Sequence, residues 1–359
     1  PRDASPPVEA PAFARPPSPF VLPVQLDQTS LVGCFQGERL LVASAAELQE
    51  WDGRGSNALR RVALPPGRGL RRAYGLLALG PERVLIGGEG FELYEWTSRA
   101  GFRALGLPDV QALERLGDRA AYGLDSGELG VFALGATLLE EPPATLDLGE
   151  RDTAEVLDLA WLSPTRLLAV TGGRTARDLS PSARAVQESM GALYLLDYDP
   201  AAGALTTLQR EGVLGAQNVA VSGGGAPQVL VGTSTGHLFL WRLGAGAGGG
   251  ERLVAAGESY RAPGAPLKVR DVLFVRETLA LGALVVRAGV DPAAWAYAEG
   301  VLVYDLADAQ PRVFTVPGVA PRGLLFEPEG EQVIVLGDHG RARVVALEAI
   351  LEGAQPLDR

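Results

Sequence analysis

The chain has 359 residues, 47% of them hydrophobic, and no apolar run of about 18 residues or more, so no segment reads as a membrane-spanning helix. Its 32 basic and 43 acidic residues give a net charge of −11, which argues against nucleic acid as a partner, because phosphate binding draws on clustered cations. A single cysteine, Cys34, excludes an internal disulfide and a cysteine-rich metal site.

Residues 1–19, PRDASPPVEAPAFARPPSP, are proline-rich and unpatterned, which predicts an extended, semi-rigid arm rather than a packed element. The chain opens on Pro1 rather than methionine. We read this as a cleaved export signal, with the arm as a tether from a lipid-anchored terminus upstream. That places the protein in the periplasm or cell envelope; a linker trimmed from a cytoplasmic chain is the alternative. Lys268 is the only lysine among many arginines, and with abundant Ala, Gly and Pro this composition reads as the coding bias of a GC-rich bacterium.

Residues 20–359 carry a repeat, and internal repeats decide the fold. Seven times a strand pair opens, at Glu38-Arg39, Glu82-Arg83, Asp118-Arg119, Thr165-Arg166, Pro227-Gln228, Glu277-Thr278 and Glu331-Gln332. An apolar run follows each opening (LLVAS, VLIGG, AAYGL, LLAVT, VLVGT, LALGA, VIVLG), and the pair closes at Trp51, Trp96, Phe132, Leu196, Trp241, Tyr304 and Val345. A further strand precedes each pair, as in Glu155-Val-Leu-Asp-Leu-Ala-Trp161. A more polar one follows the first six, as in Ala58-Leu-Arg-Arg-Val-Ala-Leu64. Four short strands per unit, separated by Gly, Pro and Asp turns, predict an all-β, seven-bladed propeller. Inner strands are apolar because both sheet faces are covered. The outermost can be polar and can neighbour prolines such as Pro142, Pro143 and Pro263, because its free edge needs no ladder bonds. After Val345 no fourth strand remains, and Phe20-Val-Leu-Pro-Val-Gln-Leu26 is a spare one, so we expect the N-terminal strand to join the last blade and close the ring.

The pairs Trp51-Asp52, Leu196-Asp197 and Tyr304-Asp305 at the close of the third strand, with the hairpin Asp197-Tyr-Asp-Pro-Ala-Ala-Gly203, resemble the WD-repeat and related bacterial propellers. The resemblance covers nearly the whole chain from about Phe20. It implies that links between second and third strands emerge on the face that carries the links between blades.

Two units break the spacing in that link. Most run about 14 residues from opening to closing residue, but the fourth runs about 31 and the sixth about 27. The inserts lie near 172–190 and 285–299. In the first, Ser180-Pro181 reads as an N-cap and first helical residue, predicting a short helix to about Met190. The second carries Trp295 and Tyr297 outside the repeat pattern. Long loops in compact domains are commonly functional, and Trp, Tyr and Arg anchor interfaces. The candidate partner-binding set is therefore Arg174, Arg177, Arg184, Trp295 and Tyr297, with other proteins of a larger assembly as the partners. The competing structural reading folds Trp295 into the central channel and leaves the arginines solvated.

Little in the chain argues for catalysis. His237 and His339 both fall at tight hairpin turns, and Asp197-Tyr-Asp199 fits a turn better than a calcium loop. Gly244-Ala-Gly-Ala-Gly-Gly-Gly250 lacks the Lys-Ser/Thr of a phosphate loop and reads as a flexible link between units. The tryptophan docking motif of quinone-cofactor propellers is missing, so no cofactor is expected. Some propeller hydrolases gather acids around the channel, and Asp158 and Asp271 occupy similar places in units four and six. The expectation is a non-catalytic scaffold of a bacterial, envelope-associated assembly. The alternatives are a small-molecule or glycan binder, and a hydrolase with an acidic channel mouth.

Overall fold

The computed structural model describes residues 20–22, 31–36, 39–44, 46–52, 58–65, 72–80, 82–135, 138–139, 141–148, 154–173, 191–245, 250–256, 260–261, 267–286, 300–307, 310–337 and 341–356. These form seven antiparallel sheets, six of them running outward in chain order. Blade one contains Val32–Gln36, Arg39–Ala43, Glu47–Asp52 and Ala58–Ala63; blade two contains Arg72–Gly80, Arg83–Glu89, Phe91–Thr97 and Gly101–Pro108. Blade three follows with Val110–Leu116, Arg119–Leu124, Glu128–Ala133 and Ala144–Asp147, and blade four with Ala154–Ser163, Arg166–Gly173, Gly191–Asp199 and Ala204–Gly212. Blade five is built from Ala216–Val221, Gln228–Thr233, His237–Ala245 and Glu251–Ala255, and blade six from Leu267–Phe274, Leu279–Val286, Gly300–Asp305 and Pro311–Phe314. Blade seven has Pro321–Glu327, Gln332–Gly337 and Ala342–Ala346. Its fourth strand is Phe20–Leu22, paired as Phe20↔Val344, Val21↔Arg343 and Leu22↔Ala342. The chain's start thus completes its last blade, as the missing fourth strand predicted.

The core lies between the blades. Each of seven apolar clusters straddles one seam; Leu40, Val42 and Trp51 of blade one, for instance, meet Ile334, Leu336 and Val344 of blade seven. The repeat's closing residues Trp51, Trp96, Phe132, Leu196, Trp241, Tyr304 and Val345 are all buried there. Glycine permits the closest approaches. A Cβ on Gly232 would lie 2.7 Å from Val269 of blade six, and one on Gly87 would lie 2.8 Å from Val110 of blade three.

The alternate face of the third strand carries ion pairs in the first two blades. Glu50 and Glu95, each just before the closing tryptophan, are buried between two arginines: Arg39 and Arg60 in blade one, Arg83 and Arg103 in blade two. The Arg60 guanidinium also sits 5.4 Å from the Trp96 ring centre, tying blade one to blade two.

Two features depart from the expected pattern. After blade seven the chain forms the helix Leu347–Gly353, among the described residues the one α-helix, too short to cross a membrane. Leu347 and Ile350 are fully buried in the seam between blades six and seven, and Gln355–Pro356 then pairs with Arg312–Val313 on the outer edge of blade six. No element was expected after Val345 beyond the closing strand; the Leu347, Ile350 and Ala354 spacing makes an apolar helical face there. The glycine-rich stretch from Gly244 is not a link between units either. Gly244 and Ala245 extend the third strand of blade five, opposite Arg252 and Glu251, because glycine tolerates a strand when its backbone is paired.

Candidate functional site

Two regions gather the residues that could act: the central channel and the face carrying the long links. The first strands of successive blades contact one another around the ring and line the channel. In blades two to seven the pairing of this strand slips by one residue, between Ala73/Gly75, Val110/Ala112, Val156/Asp158, Ala216/Asn218, Val269/Asp271 and Pro321/Gly323. Such bulges bend a strand and re-aim the side chains beside them. The residue after the bulge is polar in blades four, five and six: Asp158, Asn218 and Asp271.

All three side chains reach the first strand of the next blade. The Val219 N–H donates to Asp158 Oδ2 at 2.8 Å, and the Leu324 N–H donates to Asp271 Oδ2 at 2.7 Å. Between them, Asn218 Nδ2 donates to the Val269 carbonyl at 3.0 Å. The channel-side edge of a first strand has no ladder partner, and these side chains supply one. The Leu159 N–H also donates to Asp158 Oδ1 at 2.9 Å, so both oxygens of that carboxyl are engaged.

Burial dominates the electrostatics of the channel wall. It pushes Asp158 up to about 7, against the opposing Val219 and Leu159 amides. It pushes Asp271 up to about 7 as well, opposed by the Leu324 amide and assisted by the charge of Asp158. On blade three, burial and then the Asp158 charge push Glu114 up to about 8. Cys34, on the first strand of blade one, is pushed up to about 12 by burial, which makes it an inert thiol at neutral pH. Among the described residues no group of three or more His, Cys, Asp or Glu could hold a metal ion.

Asp158 and Asp271 do occupy equivalent places, as the sequence suggested. They are separated by blade five, and each serves as an acceptor that joins two blades, while the charge of Asp158 still reaches Asp271. His237 begins the third strand of blade five after a tight turn at Gly236, with its Nδ1 2.8 Å from Thr235 Oγ1 and its ring stacked on Phe239.

The second region is the face of the strand-two to strand-three links. Here the Val213 N–H donates to the Gly191 carbonyl at 2.9 Å and the Ser234 N–H donates to the Gly215 carbonyl at 2.6 Å. The link from blade four to blade five, Val213-Leu214-Gly215, therefore rests against the start of the third strand in blade four and the corresponding turn of blade five. Asp109, in the link from blade two to blade three, does the same, accepting from the Gly90 N–H through its side chain and from the Asp125 N–H through its carbonyl. Blade-to-blade links and strand-two to strand-three links share one face, as the resemblance implied.

Both long connections start and end on that face, between Gly173 and Gly191 in blade four and between Val286 and Gly300 in blade six, on either side of blade five. Arg174, Arg177, Arg184, Trp295, Tyr297 and the predicted helix from Ser180 to Met190 all lie within them and outside the described residues; His339, in the turn of blade seven, also lies outside the described residues. Leu214 stands on the same face at 57% exposure, beside the end of the first connection.

Three of these residues were missed in the sequence. Asn218 becomes visible once the first strands are aligned on their bulges, since it then falls level with Asp158 and Asp271, whereas Glu114 falls level with Ala160 and carries no such signal. Leu214 sits in an ordinary Val-Leu-Gly link and carries no sequence signal of exposure.

With this geometry the chain was compared with known proteins. No family model matches it, and no curated protein matches it. Among solved structures, the Cps50 (Swd1) β-propeller domain of Myceliophteria thermophila is similar over 91% of this chain and 98% of its own, with 12% identity and a TM-score of 0.62. The WD40 β-propeller domain of Doa1 is similar over 91% of this chain and 95% of its own, with 14% identity and a TM-score of 0.58. The fold is one it shares with a WD40 propeller. At this level of identity the likeness concerns the ring and its seven blades.

Proposed function

We propose that the chain is a non-catalytic scaffold that binds another protein through the face carrying its two long connections. The observation that carries this reading is the rooting of both connections on one face, flanking blade five, with Leu214 exposed between them. A propeller is a rigid disc, and lengthening the same link in two of seven otherwise regular blades changes one face alone. The residues added there are of the kind that anchor interfaces. Trp295 and Tyr297 supply apolar area with little entropy to lose, and Arg174, Arg177 and Arg184 supply forked donors for carboxylates at a rim. The WD40 neighbour supports the scaffold reading by analogy of fold, which is a weaker support than the geometry of the face.

The test is association with a copurifying partner after Trp295→Ala and, separately, Leu214→Asp. Both variants should lose the partner while melting within a degree or so of the parent, since an exposed substitution typically changes stability by about 0.5 kcal/mol or less. A sharp fall in melting temperature for Trp295→Ala would make that residue part of the core and sink its assignment.

A further inference from the structure

Outer strands of a propeller present unpaired backbone groups, and this ring covers them unevenly. In blade six the edge of Pro311–Phe314 is taken by Gln355–Pro356, which adds a fifth strand. In blade five the Gln209 side chain of blade four imitates a strand. Its amide oxygen accepts from the Leu253 N–H at 2.7 Å and its amide nitrogen donates to the Leu253 carbonyl at 3.0 Å. Blade one has neither device: Ala58–Ala63 is the last strand of its sheet, and among the described residues no strand pairs beyond it. We propose that this edge is a second docking surface, independent of the face carrying the long connections, and that it takes an acidic, extended segment of a partner protein as a fifth strand.

The ladder fixes which groups the edge offers. The Leu64 N–H donates inward to the Ala46 carbonyl at 2.9 Å. Successive residues of an antiparallel strand point their N–H and C=O to alternate sides, so those of Arg61 and Ala63 point outward. The pairing slips between Glu50 and Trp51, which leaves Leu59 unopposed and 53% exposed. Ala58, Arg60, Arg61 and Ala63 are exposed as well. An added strand would thus find backbone partners at Arg61 and Ala63 and apolar area at Leu59.

Charge selects the occupant. Between Asp52 and Glu82 the chain has no acidic residue but carries Arg54, Arg60, Arg61, Arg68, Arg71 and Arg72, although its net charge is −11. Arg60 is engaged by Glu50 and by the Trp96 ring. Arg61 makes no hydrogen bond or ion pair among the described residues. The other open edges differ. Ala144–Asp147 of blade three and Ala204–Gly212 of blade four carry Asp147 and Glu211, and in Gly101–Pro108 of blade two the one cation, Arg103, is engaged by Glu95. A second copy of the blade-one strand would set arginine against arginine, which destabilises a pair. Phosphates offer acceptors alone, whereas this edge presents N–H and C=O in turn, and an extended peptide answers both.

The test is fluorescence anisotropy of labelled peptides with the full chain. The probes are a short peptide of alternating glutamate and valine, one of glutamate and proline, and one of lysine and valine. The glutamate–valine peptide should bind. The glutamate–proline peptide carries the same charge but lacks half the N–H donors, and should bind roughly fivefold or more weakly. The lysine–valine peptide should not bind. Arg61→Glu and, separately, Ala63→Pro, which removes an outward N–H without touching the inner ladder, should each weaken the glutamate–valine peptide by roughly fivefold or more. Their urea transitions should stay close to the parent's. Equal binding of the two acidic peptides, equal binding by the parent and Arg61→Glu, or no binding of the glutamate–valine peptide would overturn the proposal. Capture of anionic vesicles or DNA that is lost in Arg61→Glu but kept in Ala63→Pro would assign the patch to phosphate and overturn the strand reading as well.

Discussion

Replacing Glu95 by alanine probes the ion pairs that brace the second blade. The Glu95 side chain is 7% exposed and accepts from Arg83 Nε at 2.5 Å and from Arg103 Nη2 at 2.6 Å. Arg103 is 48% exposed, so solvent screens its share to under about 1 kcal/mol. Arg83 is only 23% exposed and also donates to the Gly135 carbonyl. Losing a charge-assisted bond to this better shielded cation raises the expected cost to about 2–3 kcal/mol. Blade one supplies the comparison. There Glu50 is as buried as Glu95, but its arginines, Arg39 and Arg60, are 50% and 42% exposed, so Glu50→Ala should cost only about 1 kcal/mol. Urea titration of both variants and the parent measures the difference. Equal losses, or a larger loss for Glu50→Ala, would refute the idea that exposure of the arginine partner sets the cost.

Other substitutions test the ring itself. Ile350→Ala removes a fully buried side chain from the seam between blades six and seven and should cost about 2–4 kcal/mol by urea unfolding, although it lies on a helix after the last blade. Gly232→Ala forces a methyl against Asn218 Oδ1 and to within 2.7 Å of Val269 and should cost about 1–3 kcal/mol; a neutral result would mean that both neighbours can shift. Deleting residues 1–22 removes the strand that pairs with Ala342–Val344 and leaves an open edge. Light scattering should then show association of the deleted chain under conditions where the parent stays monodisperse.

The ring was legible in the sequence because its determinants are local and repeated. Apolar runs closed by Trp51, Trp96 or Tyr304 mark strands that must be covered on both faces, and the lack of a fourth strand after Val345 left Phe20–Leu22 one place to go. The final helix was not legible as such. Leu347, Ile350 and Ala354 make too short a periodic stretch to stand out, and their burial depends on blade six, reached only by tertiary packing. The equivalence of Asp158 and Asp271 could be read from spacing, whereas their role could not. An acid beside a bulge serves catalysis or joins strands according to which neighbour its oxygens reach, and the Val219 and Leu324 amides belong to other blades. Glu114 acquires its environment in the same way, from enclosure by the folded ring first and then from the charge of Asp158 one blade away.

The most direct measurement is crosslinking mass spectrometry on the protein bound to its partner, comparing the parent with a variant in which residues 174–190 and 287–299 are replaced by short turns. The face reading predicts crosslinks concentrated in those two connections and around Leu214, with the partner lost from the shortened variant while its unfolding transition is preserved. A partner retained by the shortened variant, with crosslinks falling on the outer strands or on residues 1–19, would contradict it.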